Sequence, residues 1–147
     1  MKKIVFLLCA FMLLCTACQF STSKSFTFDV DNGDQIKVSL DTTGGFDLSS
    51  QVPFGISQNG KVLSEGTFIY SEYYDYYVEV VDNDSDAELL DSGTKDGNEF
   101  IFWCYNDVEY NYAILVRGSD TGVVIGNMVS EKSAKECFDR LTIAVAE

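Results

Sequence analysis

Histidine is absent from the 147 residues. Its absence removes the commonest general base at neutral pH, the serine and cysteine triads built on imidazole, and the commonest zinc ligand. No P-loop or dinucleotide fingerprint occurs, and no paired thiols stand at metal-ligand spacing. Basic residues are scarce: 10 Lys and Arg face 23 Asp and Glu, for a formal charge of −13. A surface of that sign does not neutralise phosphates, so nucleic acid is excluded as a partner. Proline occurs once, which argues against a Pro-rich stalk. The only long apolar run, residues 4–14, is shorter than the ~20 residues a bilayer core demands. The expectation is a chain that is not an enzyme, takes no cofactor and holds no resident metal. A serine–lysine or two-carboxylate site leaves no signature at this level, so an envelope enzyme with a converging carboxylate pair is the rival.

What is present begins with the first 18 residues. Lys2 and Lys3 precede the apolar run, Thr16 and Ala17 are small, and Cys18 follows directly. The stretch Leu14-Cys15-Thr16-Ala17-Cys18 resembles the bacterial lipobox, with Cys15 where the family favours leucine. The resemblance implies that residues 1–17 are a lipoprotein signal peptide removed on export. It also implies that Cys18 receives a diacylglyceryl group, becomes the new amino terminus and anchors the protein to a membrane on its extracytoplasmic face. Each buried methylene contributes ~0.8 kcal/mol, so two or three acyl chains hold firmly. Residues 18–23 form a short tether, and residues 24–147 a single domain. Five residues between Cys18 and the first strand candidate reach at most roughly 18 Å, so the domain stays close to its membrane. Because −13 includes Lys2 and Lys3, loss of the leader leaves the mature chain near −15. An anionic lipid surface repels such a domain.

With 46% hydrophobic and 22% charged residues, the remainder is globular. Phe26, Phe28 and Val30 alternate with polar residues, then Asn32-Gly33 precedes an alternating Ile36, Val38 and Leu40. That is a hairpin signature, because both turn positions must accept positive φ. Asn59-Gly60 repeats it between 54–58 and 61–69, while 42–52 reads as loop. Residues 71–81 read as a helix with Tyr70, Tyr73, Tyr74, Tyr77 and Val81 on one face, a strand through 74–81 being the competitor. Residues 82–86 are a solvated break, and 87–91 a short strand. Residues 99–105 form a strand apolar on both faces, with Phe100, Phe102 and Cys104 opposite Ile101, Trp103 and Tyr105. Turns at Asp96-Gly97, Asn106-Asp107 and 118–120 delimit further strands at 108–117 and 121–128. Ser130 caps a helix with an Ala134, Cys137, Phe138 and Leu141 stripe, and 142–145 closes as a strand.

These elements predict an α+β domain, one antiparallel β-sheet with two helices packed against it. The order of hairpins, helix, meander, helix and strand is similar to the PsbP-like fold. The stretch Ser130-Glu131-Lys132-Ser133-Ala134-Lys135-Glu136-Cys137-Phe138-Asp139-Arg140-Leu141-Thr142-Ile143 resembles the last helix and strand of that fold. The resemblance implies a binding, assembly or accessory factor, and it carries no functional residues with it.

Three features remain as candidates. Cys104 and Cys137 are either a disulfide pair or two buried thiols. Asp82, Asp84 and Asp86 match the first three places of a calcium loop, but Ala87 and Gly93 stand where the loop needs glycine and a bidentate glutamate. A solvated acidic loop accounts for them, leaving a weak calcium module as a further rival. Tyr73, Tyr76, Tyr77 and Trp103 form a candidate binding patch. They are either core aromatics or a surface that docks an envelope protein or a glycan.

Overall fold

The structure, a computed structural model, describes residues 22–147. The leader, Cys18 and the tether as far as residue 21 lie outside the described residues. The chain runs β1 (Ser23–Asp29), β2 (Gln35–Asp41), a turn of 3-10 helix (Thr43–Gly45), β3 (Phe46–Leu48), β4 (Phe54–Gln58), β5 (Lys61–Tyr70) and α1 (Glu72–Asn83). It continues through β6 (Ala87–Lys95), β7 (Asn98–Tyr105), β8 (Glu109–Leu115), β9 (Thr121–Asn127), α2 (Glu131–Arg140) and β10 (Leu141–Val145).

The strands make two antiparallel sheets rather than one. A three-stranded sheet has the order β1-β2-β10, and a seven-stranded sheet has the order β3-β4-β5-β9-β8-β7-β6. With 54% of the described residues in strands and 20% in helices the domain is β-sandwich-like, which overturns the expectation of an α+β, PsbP-like domain with a single sheet. The physical reason lies in β2. Ile36, Val38 and Leu40 all point to one side and are completely buried, so that side needs a facing layer. Pairing with β10 across some hundred residues of chain builds the layer, and short-range patterning carries no trace of so distant a partner.

The main core fills the space between the sheets. Phe28, Ile36, Val38 and Leu40 meet Phe54, Ile56, Phe102, Tyr112, Val123 and Ile125, with Ala134, Cys137 and Phe138 of α2 closing one side. Fully burying an aliphatic or phenyl side chain contributes about 1.5–3 kcal/mol. Aromatic rings form its centre: Phe138 stacks on Tyr112 at 4.0 Å between centroids, and Tyr112 stacks on Phe102 at 4.2 Å. Packing is tight enough that a Cβ on Gly66 would lie 2.2 Å from the Phe54 ring, which explains glycine there.

The other face of the seven-stranded sheet carries a smaller core. Ile101, Trp103 and Ala113 meet Tyr74 and Val81 of α1, with Tyr77, Val78, Tyr105, Leu115 and Val124 packed around them. Strand β7 is therefore covered on both sides, and α1 and α2 lie on opposite faces of one sheet. A polar hinge ties the layers together at one end. The Asp34 carboxylate accepts from Thr121 Oγ1 at 2.8 Å, the Asp120 amide at 3.0 Å and Asn32 at 3.1 Å.

Candidate functional site

Helix α1 starts where β5 ends. The Ser71 amide donates to the Asp120 carbonyl at 2.9 Å, fixing the helix start to the β8–β9 turn. At the other end the Asn106 amide donates to the Asp86 carbonyl at 2.9 Å, so the segment is pinned to both ends of the sheet. Ser71 has helical backbone angles and its side chain makes no cap hydrogen bond. The first turn holds Glu72 and Asp75, and the last turn has no basic residue.

A helix advances 100° per residue, which sorts α1 into three lengthwise stripes. Tyr74, Tyr77, Val78 and Val81 face the sheet, and the Tyr77 ring lies 5.6 Å from that of Trp103. Burial, then the nearby Glu99 and Asp75 carboxylates, raises the Tyr74 hydroxyl above its ordinary value. Tyr73, Tyr76 and Val80 form a second stripe, with Tyr73 49% and Tyr76 58% exposed. Glu72, Asp75, Glu79 and Asp82 form a third, all exposed. Residues 72–91 contain eight carboxylates and no lysine or arginine. Among the described residues no ion pair involves any of those eight.

This arrangement corrects two expectations. The inward face is Tyr74, Tyr77, Val78 and Val81, not Tyr70, Tyr73, Tyr74, Tyr77 and Val81. Tyr70 belongs to β5, and Tyr73 turns to solvent. The four candidate patch residues also divide. Tyr73 and Tyr76 share the outer stripe, Tyr77 bridges inward with its ring 6.0 Å from that of Tyr76, and Trp103 is only 5% exposed beneath the helix. Trp103 is a core side chain. Tyrosines at both three- and four-residue spacings satisfy either stripe, so sequence spacing could not choose between them.

Leu89 was not among the candidates. It pairs with Trp103 across the β6–β7 ladder and so points to the α1 side of the sheet, where it is exposed at the free edge. The available signal was the adjacent pair Leu89 and Leu90, which must point to opposite faces of a strand. Strand β6 itself runs to Lys95, beyond the expected residue 91, with an irregularity between Leu89 and Asp91.

The remaining candidates are accounted for by structure. Cys104 and Cys137 are both free and buried. Burial raises the Cys137 thiol above its ordinary value, and the Ser64 and Ser133 hydroxyls oppose the shift by bonding to it. Beside it Asn127 donates to Ser64 Oγ at 2.9 Å and Ser133 Oγ at 3.0 Å. In the acidic break, the Asp86 amide donates to Asp84 Oδ1 at 2.9 Å, an ordinary Asx turn. Among the described residues no group of three or more carboxylates, cysteines or histidines is gathered closely enough to hold a metal. No described helix is long and apolar enough to cross a membrane.

An open groove beside α2 is lined by Asp41, Lys132, Lys135, Glu136, Asp139 and Arg140 among others. Its charges compensate one another: Lys135 pairs with Glu131 at 2.5 Å, and Arg140 pairs with Glu136 at 3.4 Å and Asp41 at 3.6 Å. The α2 groove is also lined by Tyr110 and mixes charges of both signs, whereas the α1 face combines two exposed tyrosines with charge of one sign. No protein-family model matches the chain, and no curated protein matches it.

Proposed function

We propose that the protein is a membrane-tethered lipoprotein of the bacterial cell envelope whose acidic domain acts without catalysis, by binding a partner. Two kinds of observation support the reading. The leader ends in Leu14-Cys15-Thr16-Ala17-Cys18, which favours export and acylation of Cys18. Binding rests on one observation, the exposed Tyr73 and Tyr76 of α1 beside a stripe of unpaired carboxylates. Tyr73 and Tyr76 stand side by side on one helix face, and tyrosine rings supply contact area at low entropic cost. The non-catalytic part follows from the absence of histidine and of any recognised nucleophile–base pattern.

The anchor is tested in a bacterial host expressing the chain with its leader. Palmitate label is expected in the wild-type protein, which sediments with membranes. Cys18→Ser is expected to lose the label and move to the soluble fraction. An intact amino-terminal methionine in the mature wild-type mass would overturn the reading.

A further inference from the structure

We infer that the outer face of α1 is a docking surface for a basic protein segment, whose lysines or arginines lie over the Tyr73 and Tyr76 rings and pair with the adjacent acidic stripe. This rests on the binding reading above and goes further by naming the chemistry of the partner.

Three observations converge. First, the two exposed rings and Val80 form one stripe along α1, running parallel to Glu72, Asp75, Glu79 and Asp82. A cation above a tyrosine face is attracted by the ring quadrupole, and a flanking carboxylate completes the pair. The surface thus offers a cation two favourable contacts at once, repeated along the helix. Second, α1 keeps charges that oppose its own stability, although Glu72 and Asp75 in its first turn suit the positive end of the dipole. Glu72–Asp75, Asp75–Glu79 and Glu79–Asp82 place like charges three or four residues apart, Asp82 sits at the negative end of the helix dipole, and no cation within the helix relieves either. Places where local preference and the fold disagree are where a functional surface is expected. A bound basic segment removes both penalties. Third, α1 covers the face of the seven-stranded sheet opposite the layer that contains β1, the strand that follows the tether. The surface is therefore carried on the outer layer away from the anchored strand. A second copy of this chain is a poor occupant, because it presents the same unpaired carboxylates. A neutral glycan would use the rings and leave the acidic stripe without a role.

The test uses the acylated full chain in detergent and two synthetic amphipathic peptides, one of lysine and leucine and one with every lysine replaced by glutamate. The wild-type protein is expected to bind the lysine peptide, with affinity that weakens steeply as salt rises, and to ignore the glutamate peptide. Tyr73→Ser with Tyr76→Ser is expected to weaken binding about tenfold at unchanged net charge. Glu79→Gln with Asp82→Asn is expected to weaken it similarly and flatten the salt dependence. Glu136→Gln with Asp139→Asn alters the charge equally on α2, on the opposite face of the sheet, and is expected to leave binding nearly unchanged. Equal losses from both carboxylate pairs, or full binding by the tyrosine variant, would mean bulk charge attraction only and overturn the inference. Binding of the glutamate peptide, or displacement of the lysine peptide by a neutral oligosaccharide or by millimolar calcium, would overturn it too. Failure here leaves the palmitate result untouched, so the two readings fall separately.

Discussion

Helix α2 begins with an extended Ser130 whose hydroxyl accepts from the Ser133 amide at 3.1 Å, and it carries Glu131 in its first turn and Arg140 in its last. Two i,i+4 pairs run along it, and at its end Lys95 Nζ donates to the Phe138 carbonyl at 2.6 Å and to the Leu141 carbonyl. Helix α1, on the opposite face of the same sheet, has no side-chain cap, no ion pair and acid at both ends. Acid in the first turn is common to both helices, but the side-chain cap, the i,i+4 ion pairs and the basic last turn of α2 are missing in α1. Packing through Tyr74, Tyr77, Val78 and Val81, with the backbone hydrogen bonds at its two ends, must hold α1. The difference teaches where selection for stability stops: α2 closes the main core, whereas α1 trades helix-forming chemistry for what it displays outward.

The largest test of this contrast removes one aromatic from each helix. Phe138→Ala takes a ring out of the stack with Tyr112 and Phe100 and is expected to cost about 3–5 kcal/mol in urea unfolding. Tyr76→Ala on α1 is expected to fall within about 0.5 kcal/mol of wild type. Comparable losses from the two would place Tyr76 in the core and break the contrast.

The helix ends come next. Lys95→Met leaves two carbonyls at the end of α2 without their donor and is expected to cost about 1–3 kcal/mol at neutral pH. Burial holds the Lys95 amine below the ordinary lysine value, with Asp96 and Asp139 opposing the shift. Between that lowered value and the ordinary one the unfolded chain binds more protons than the folded protein. Stability therefore gains a positive contribution as pH rises through the window, and below it the charged amine is disfavoured in the fold. The raised Tyr74, Tyr112 and Cys137 groups contribute the opposite slope in the alkaline range, so the Lys95 contribution is read as a difference: stability of wild type minus that of Lys95→Met in chemical denaturation should rise through this window.

Capping gives a smaller and more direct comparison. Ser130→Ala is expected to cost about 1 kcal/mol, while Ser71→Ala, whose hydroxyl caps nothing, should cost little by the same urea assay. Equal effects would mean that both serines, or neither, act as caps.

The contrast between the helices also explains what could be read from sequence. Turns at Asn59, Asp96, Asn106 and Asp107 were legible because each takes positive φ, between 50° and 58°, which few residue types accept. The α2 stripe and its Ser130 cap were legible because every local signal agreed. Strand β3 escaped because three residues are too few to show a period, and β6 was cut short because its exposed, irregular edge does not alternate. The second sheet escaped because β2–β10 pairing is non-local. For the candidate site, the existence of α1 and the surplus of tyrosines were visible, but the choice of Tyr74 over Tyr73 as the buried ring was not. That choice is made by Trp103 and Ile101, which come from β7, a separate stretch of chain beyond α1 and β6.

The smallest expected effect has the most to say about α1. Replacing Glu79 by Gln or Asp82 by Asn removes like-charge neighbours, and for Asp82 also an unfavourable charge at the negative end of the dipole. Each change should therefore stabilise the protein, by about 0.2–0.5 kcal/mol at low salt. Added salt should shrink the gain, because screening already does the same work in the wild-type protein. On α2 the sign reverses: Glu131→Gln breaks the pair with Lys135 and removes a favourable first-turn charge, so it should destabilise by a similar amount. Opposite signs from the same chemical change on two helices of one sheet would show that α1 holds its carboxylates at the expense of its own stability. Same-sign effects in paired thermal melts would mean that the acidic stripe is ordinary solvated surface, leaving the exposed tyrosines as the only unexplained feature of that face.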